Sequence, residues 1–395
     1  YQVHSVGHAN HANTSFILHC GLRLCRRMPS HFAIHCLTFS IALALYTSTV
    51  QSGIAGGDSG ELIAEACANG IAHPPGYNLY TTLLHLILNY FPSANDFPGV
   101  FSPSPALLSN YISCLFSSFA AFNISQSVGL LVDQRRHSFQ AKAVGCILAG
   151  VGFATMQLQW IYAIGSEVFS LNNCLCTWVL YLFINYMYST TQEHRKQTMV
   201  LGAFVSGLCL CNQHTSVLYL IVVISSILFD TISRKELTGP LMLQLLGAGL
   251  VGLSPNMLMY TQTITMGSWG DTSTMAGLAT HVLRREYGTF SLSPTEFDAE
   301  SSFERTVAYI SDTGKEVGIT GYVLAVGGII LSLWGQRPAN GGAQKKNTIT
   351  TTKKPTKNKH NKHNKHSSGS ISDKNNKNNT TTTTTNTTNT TTITT

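Results

Sequence analysis

Nine apolar runs separated by short polar segments set the terms on which this chain can fold. They lie at 32–50, 77–91, 105–131, 142–160, 168–188, 199–211, 215–229, 239–260 and 317–334. A helix needs about 20 apolar residues to cross the hydrocarbon core of a bilayer, fewer where neighbours shield it. Only 11% of the residues are charged, against about 25% in an ordinary soluble domain. The expected architecture is an all-α polytopic membrane protein.

The formal net charge of +7 does not describe this apolar body. Residues 336–395 carry Arg337 and ten lysines against Asp373, a net +10, while residues 1–335 carry 14 basic and 17 acidic side chains, a net −3. The basicity belongs to the tail and implies no nucleic-acid groove. Runs of Lys, Asn and Thr there lack the apolar content that offsets ordering entropy, so 336–395 is expected to be disordered. Most of the ten cysteines fall in apolar runs, where they act as small hydrophobes. Neither C-x-C pair (Cys174 and Cys176; Cys209 and Cys211) has a second pair at zinc spacing, and no metal is expected.

Basic segments orient the spans, because loops rich in Lys and Arg stay cytoplasmic. They occur at 21–28, 133–142, 189–198, 230–238 and beyond Arg337. If 77–91 crossed the membrane, 133–142 would fall on the far side. If 77–91 lies along the surface, and 199–211 and 215–229 form two short spans meeting at Asn212, Gln213 and His214, all five are cytoplasmic. The expected organisation is a cytoplasmic segment at 1–31, a membrane domain of about eight spans at 32–335, and the tail. Arg23, Arg26 and Arg27 make the 32–50 run a signal anchor. The far side then gathers the loop 51–104, the turn near Glu167, the turn at 212–214 and the loop 261–316.

The most polar island, 55–77, sits in the first of these loops. It reads A-G-G-D-S-G-E-L-I-A-E-A-C-A-N-G-I-A-H-P-P-G-Y. It is not a phosphate loop, since it lacks the spacing and the lysine. Asp58 can serve as a general base at a membrane face, where partial burial raises a carboxylate toward neutrality. Equally, Asp58 or Ser59 can cap a helix over 60–69, with Glu61 complementing its dipole. His73 belongs either to a stiff Pro-Pro-Gly turn or to a site beside Asp58. Glu167 stands alone between two spans, a functional candidate at membrane depth or the cap of the next helix. His214, among polar neighbours, lines a polar break or is structural. In the loop 261–316, Trp269 and Asp271 lie in S-W-G-D, and Arg284 and Arg285 are adjacent. Paired guanidiniums suit a phosphate or pyrophosphate, and salt bridging to Glu286 or Asp271 is the alternative.

Five motifs occur together and in order: G-G-D-S-G-E-L with A-H-P-P-G-Y, W-x-Y-A-x-x-S-E-V-F-S-L-N-N, C-N-Q-H-T, S-W-G-D-T-S-T, and L-R-R-E-Y-G-T-F-S-L. Over roughly 35–335 the chain resembles the transmembrane protein 260 family. The resemblance implies a GT-C membrane fold in the endoplasmic reticulum with a luminal active site. It further implies transfer of mannose from dolichyl phosphate mannose to Ser or Thr of IPT domains of plexin-like receptors, by one inverting displacement. No cofactor is implied beyond the lipid-linked donor. By this analogy Asp58, with Glu61, is catalytic. Expected substrate-binding residues are His73, Glu167, His214, Trp269, Asp271, Arg284 and Arg285. Family members are expected to continue past 335 with further spans, so the chain is expected to be a truncated or mispredicted member. Two rival classes are a transporter or flippase, which predicts paired broken helices, and a catalytically inactive membrane protein.

Overall fold

The computed structural model describes residues 30–90, 103–133, 138–262, 264, 267–285 and 302–335. All regular structure among these residues is helical. The helices are α1 Ser30–Ser48, α2 Ser59–Ala68, α3 Asn78–Tyr90, α4 Pro105–Asp133, α5 Phe139–Ala154, α6 Gln157–Ala163, α7 Val168–Tyr188, α8 Gln192–Asn212, α9 Ser216–Ser233, α10 Gly239–Leu253, α11 Met275–Val282 and α12 Ser302–Gly335. A 3₁₀ segment, Ser254–Tyr260, continues α10, and α12 breaks at Gly318. The chain divides into a compact unit through Ser332 and a second unit from Leu333 to Thr395. The segment 1–29 and the tail 336–395 lie outside the described residues.

This is a helical polytopic membrane protein. Among the described residues α1, α4, α7, α9 and the α10–Tyr260 stretch are long and apolar enough to cross a bilayer. A sixth crossing is available if α5 and α6, bent by 69° at their junction, act as one. The bend is internally satisfied, because the Tyr46 hydroxyl donates to the Ala154 carbonyl left open at the end of α5, at 2.8 Å. The two remaining expected spans fall within α8 and α12. Helix α8 is 21 residues long, but its first turns carry Glu193, Arg195 and Lys196. The 77–91 run becomes α3, whose 13 residues give about 20 Å of helix, short of a bilayer core.

The spans share two apolar clusters. Leu62, Tyr80, Leu84, Val168, Leu171, Val205, Cys209 and Leu220 join α2, α3, α7, α8 and α9. Ala42, Tyr46, Cys114, Ala121, Ala154 and Ala163 join α1, α4, α5 and α6. Helices α8 and α10 touch at Gly207, Gly249 and Gly252, where a Cβ on Gly252 would lie 2.1 Å from the Phe204 carbonyl oxygen. Beside that contact, an apolar cavity of about 370 Å³ runs between α7, α8, α9 and α10, lined by Leu182, Phe183, Leu210, Ile227 and Leu246 among others.

The basic loops 189–198 and 230–238 meet. There Arg195 is held by Glu236, with its Nε 3.0 Å from Oε2, and by the Ser189 carbonyl at 3.0 Å. The polar turns are tied together as well. Asn110 of α4 donates to the carbonyls of Gln51 and Gly53 at 2.8 and 2.9 Å. The Gln51 amide donates to the Ile164 carbonyl at 3.1 Å. Asn212 donates to the Val168 carbonyl at 3.1 Å. The α1–α2 and α6–α7 connections are thereby tied to each other and to α4, and the start of α7 to the end of α8.

Candidate active site

Helix starts leave amide donors without partners, and small polar side chains ordinarily satisfy them. Here Ser138, Thr191, Thr238 and Thr274 do so for α5, α8, α10 and α11. Asp58 and Glu167 occupy the same position on α2 and α7, yet neither side chain caps its helix. For Asp58 the capping expectation is corrected. Its backbone is already helical (φ −81°, ψ −1°), whereas a capping residue takes an extended conformation that turns its side chain back onto the first amides. The Asp58 carboxylate is left half exposed, its Oδ2 3.8 Å from His73 Nε2.

Glu167 reaches across instead. Its Oε1 accepts the Asp58 amide at 3.1 Å. The approach depends on Gly57, which has φ +70° and on which a Cβ would lie 2.6 Å from that oxygen. Only glycine adopts such a backbone without strain and leaves the room.

His73 is held from two sides by Glu61, one turn beyond Asp58 on the same face of α2. Glu61 Oε1 accepts the His73 amide at 2.7 Å, and Oε2 lies 2.9 Å from His73 Nδ1. The turn after His73 contains a cis Pro74–Pro75 bond, and Tyr77 sets its ring edge-on to His73, centroids 5.1 Å apart. On another side Trp269 stands 6.4 Å away, centroid to centroid. Its loop is docked by backbone and side chain. The Trp269 amide donates to the Ile71 carbonyl at 3.0 Å. Ser268 donates to Glu65 Oε2 at 2.7 Å and accepts the Ile71 amide at 3.2 Å. Glu65 is only 5% exposed.

Charge divides unevenly among these groups. The Glu61 hydrogen bond, reinforced by the charges of Glu61 and Asp58, outweighs burial and the Arg284 charge and raises His73 above the ordinary histidine range. Burial acts to raise Glu61, but the His73 hydrogen bonds and one from the Trp269 side chain outweigh it and hold the group low. Burial and the Asp58 charge push Glu167 up to about 7, against hydrogen bonds from the Asp58 and Ser59 amides. Burial, with the Asp58 charge, pushes Tyr77 up to about 12. Burial and the Arg284 charge lower His214.

The site therefore brings together Asp58, Glu61, His73, Glu167 and Trp269. The Arg284 charge acts on His73, Tyr77 and His214. Asp271 and Arg285 stand apart. Asp271 is exposed and accepts the Ser273 amide and hydroxyl at 3.0 and 2.5 Å, a local turn. Arg285 is exposed, its amide bonded to the Thr280 carbonyl. Glu286, the alternative partner for the arginines, lies outside the described residues. Sequence reasoning gave no role to Tyr77, Ser268 or Asn110, which lack a charge signature or act over more than fifty residues of separation.

The family described as "Protein O-mannosyl-transferase TMEM260 N-terminal domain" matches residues 58–237. Its match starts at Asp58 and takes in Glu61, His73, Glu167 and His214. The chain belongs to the transmembrane protein 260 family. A relative from Mus musculus, named Protein O-mannosyl-transferase TMEM260, is 38% identical over 267 residues, 67% of this chain and 36% of the relative. One of the same name from Dictyostelium discoideum is 31% identical over 312 residues, 76% of this chain and 36% of the relative. The chain thus spans little more than a third of the length of these family members. No solved structure matches it.

Proposed function

We propose that this chain carries the acceptor-activating part of a protein O-mannosyltransferase of GT-C type. The reaction moves mannose from dolichyl phosphate mannose to a Ser or Thr hydroxyl, with the site on the luminal side of the endoplasmic reticulum membrane. The observation that carries the reading is Asp58: an acid at a helix start whose carboxylate does not cap, is half exposed, and faces His73. The names of the two relatives supply the reaction class. Acceptors of the class named above, IPT domains of plexin-like receptors, are part of the proposal.

In one displacement the acceptor oxygen bonds to mannose C1 as the C1–O bond to phosphate breaks with inversion. The hydroxyl proton passes to the Asp58 carboxylate, and the electron pair leaves on dolichyl phosphate. A phosphate leaves without protonation, so the reaction needs one base and a cationic leaving-group site, unlike the paired carboxyls of glycosidases. Arg284 supplies charge to the leaving phosphate. His73, held by Glu61, borders the Asp58 carboxylate. Trp269 and His214 border the sugar. The apolar cavity among α7–α10 is consistent with a protein that works on a lipid-borne substrate.

The test is mannose transfer from dolichyl phosphate mannose to an IPT-domain acceptor, in microsomes expressing this chain. Asp58→Asn is expected to lower kcat by about 100-fold or more, the usual worth of a general base. An Asn variant at the wild-type rate removes Asp58 as base. No transfer from this donor by the wild-type chain overturns the reaction itself.

A further inference from the structure

Glu167 was expected to contact substrate, and the geometry points elsewhere. We infer that Glu167 is a positioning residue, which fixes the backbone of Asp58 so that the base carboxylate keeps one direction at the mouth of the site. The inference rests on the mannosyl-transfer reading, and Glu167 itself touches neither donor nor acceptor in it.

Three observations converge on this role. Glu167 stands at the start of α7 and leaves its own helix uncapped. Its Oε1 is committed to the Asp58 amide at 3.1 Å across 109 residues of sequence, and the Ser59 amide also hydrogen-bonds to it. Gly57 leaves that oxygen a space that any side chain would close. The clamp therefore has two halves, an acid on α7 and a glycine before α2, and each is meaningless without the other. A base displaced by about 1 Å can lose about 100-fold in rate, so a clamp on the base's backbone acts on kcat.

The bond is also adjustable. An ionised carboxylate accepts an amide more strongly than a neutral one, so the clamp tightens as Glu167 ionises. The titratable groups around it are Asp58 and His73 from the first loop, Tyr77 and Tyr80 around α3, and Tyr162 from α6. Of these, burial pushes Tyr77 and Tyr80 up to about 12, above the range in which Glu167 loses its proton, and the Glu61 hydrogen bond raises His73 from the ordinary histidine value.

Hydrogen exchange and kinetics of the full chain in nanodiscs decide the matter. Glu167→Ala is expected to raise exchange at the Asp58 and Ser59 amides and to lower kcat about 100-fold, with KM for donor and acceptor within about twofold. Gly57→Ala is expected to do the same from the other side. Glu167→Gln keeps an acceptor oxygen, so both amides stay protected and part of the rate returns, but the rise of kcat through about pH 7 disappears. Unchanged exchange in Glu167→Ala overturns the inference. So does a variant that raises KM while kcat stands, which would make Glu167 a substrate contact. If the wild-type chain transfers no mannose, the mannosyl reading falls, while the exchange arm still decides whether Glu167 holds Asp58.

Discussion

Glu61 grips His73 at both its backbone and its ring, accepting the amide on one carboxylate oxygen at 2.7 Å and meeting Nδ1 with the other at 2.9 Å. The two-point hold fixes which way the ring turns, so Nε2 faces Asp58. Glu61 is thereby engaged in orienting the histidine, and Asp58 is the acid of the pair left open to a substrate.

This pair dictates a pH window for stability. His73 is raised in the folded state, so its contribution is full below the ordinary histidine range and is lost as pH rises through its raised value. Glu61 is depressed, so its contribution is full above the ordinary carboxylate range and is lost as pH falls through its lowered value. Glu61→Gln keeps an acceptor but removes the charge. Between these limits it is expected to destabilise by about 1–2 kcal/mol, the low end for a charge-assisted bond because both groups are partly exposed. Thermal unfolding across pH checks this: the variant's Tm should lose its fall at high pH, and a parallel wild-type-like curve would count against the pairing.

Asn110 ties the first loop to α4 through two donors to the Gln51 and Gly53 carbonyls. Asn110→Ala is expected to cost about 1–2 kcal/mol. Asn110→Asp should be worse than Ala, since it sets a carboxylate oxygen against two carbonyl oxygens in a fully buried position. The order of Tm values, wild type above Ala above Asp, is the measurement. An Asp variant as stable as wild type would show that the loop is held by other contacts.

How much of this could be read from residues alone follows from distance along the chain. The spans were legible because hydrocarbon length and composition are local quantities. Asp58, Glu61 and His73 were legible as a group because they share one helix face and the turn that ends it. What Asp58 does with its carboxylate was not, because a residue just before a helix reads as a cap until its own φ and ψ are known. The Glu167–Asp58 contact spans 109 residues and the Ser268–Glu65 contact 203, and neither has a periodicity to betray it. Asp271 shows the opposite case: its motif looked functional, and in the fold a serine two residues on donates its amide and its hydroxyl to one of the carboxylate oxygens.

The Ser268–Glu65 bond predicts how the Trp269 loop is held down. Glu65 is buried, and Ser268 bridges it to the Ile71 amide. Ser268→Ala removes both ends of that bridge and leaves a buried acceptor less satisfied, a loss of about 1–3 kcal/mol. Because the Trp269 amide bonds to Ile71 next door, its hydrogen exchange should rise in the variant while amides within α7 stay protected. Equal protection at Trp269 would mean that the loop docks without Ser268.

Arg284 and Arg285 are adjacent in sequence but predicted to be unequal in function. The Arg284 charge acts on His73, Tyr77 and His214, whereas Arg285 is exposed at the end of α11. If Arg284 neutralises the lipid phosphate, Arg284→Ala should raise KM for dolichyl phosphate mannose about tenfold or more, the scale of one lost charged hydrogen bond. Arg284→Lys should recover only part, since an ammonium cannot bind phosphate through a planar fork. Arg285→Ala and Asp271→Ala should both stay within about twofold of wild type, as expected for exposed side chains away from the reacting groups. Steady-state kinetics on the four variants separates the cases. Equal losses at Arg284 and Arg285 would restore the paired clamp that the sequence suggested, and a silent Arg284→Ala would remove arginine from the leaving-group site.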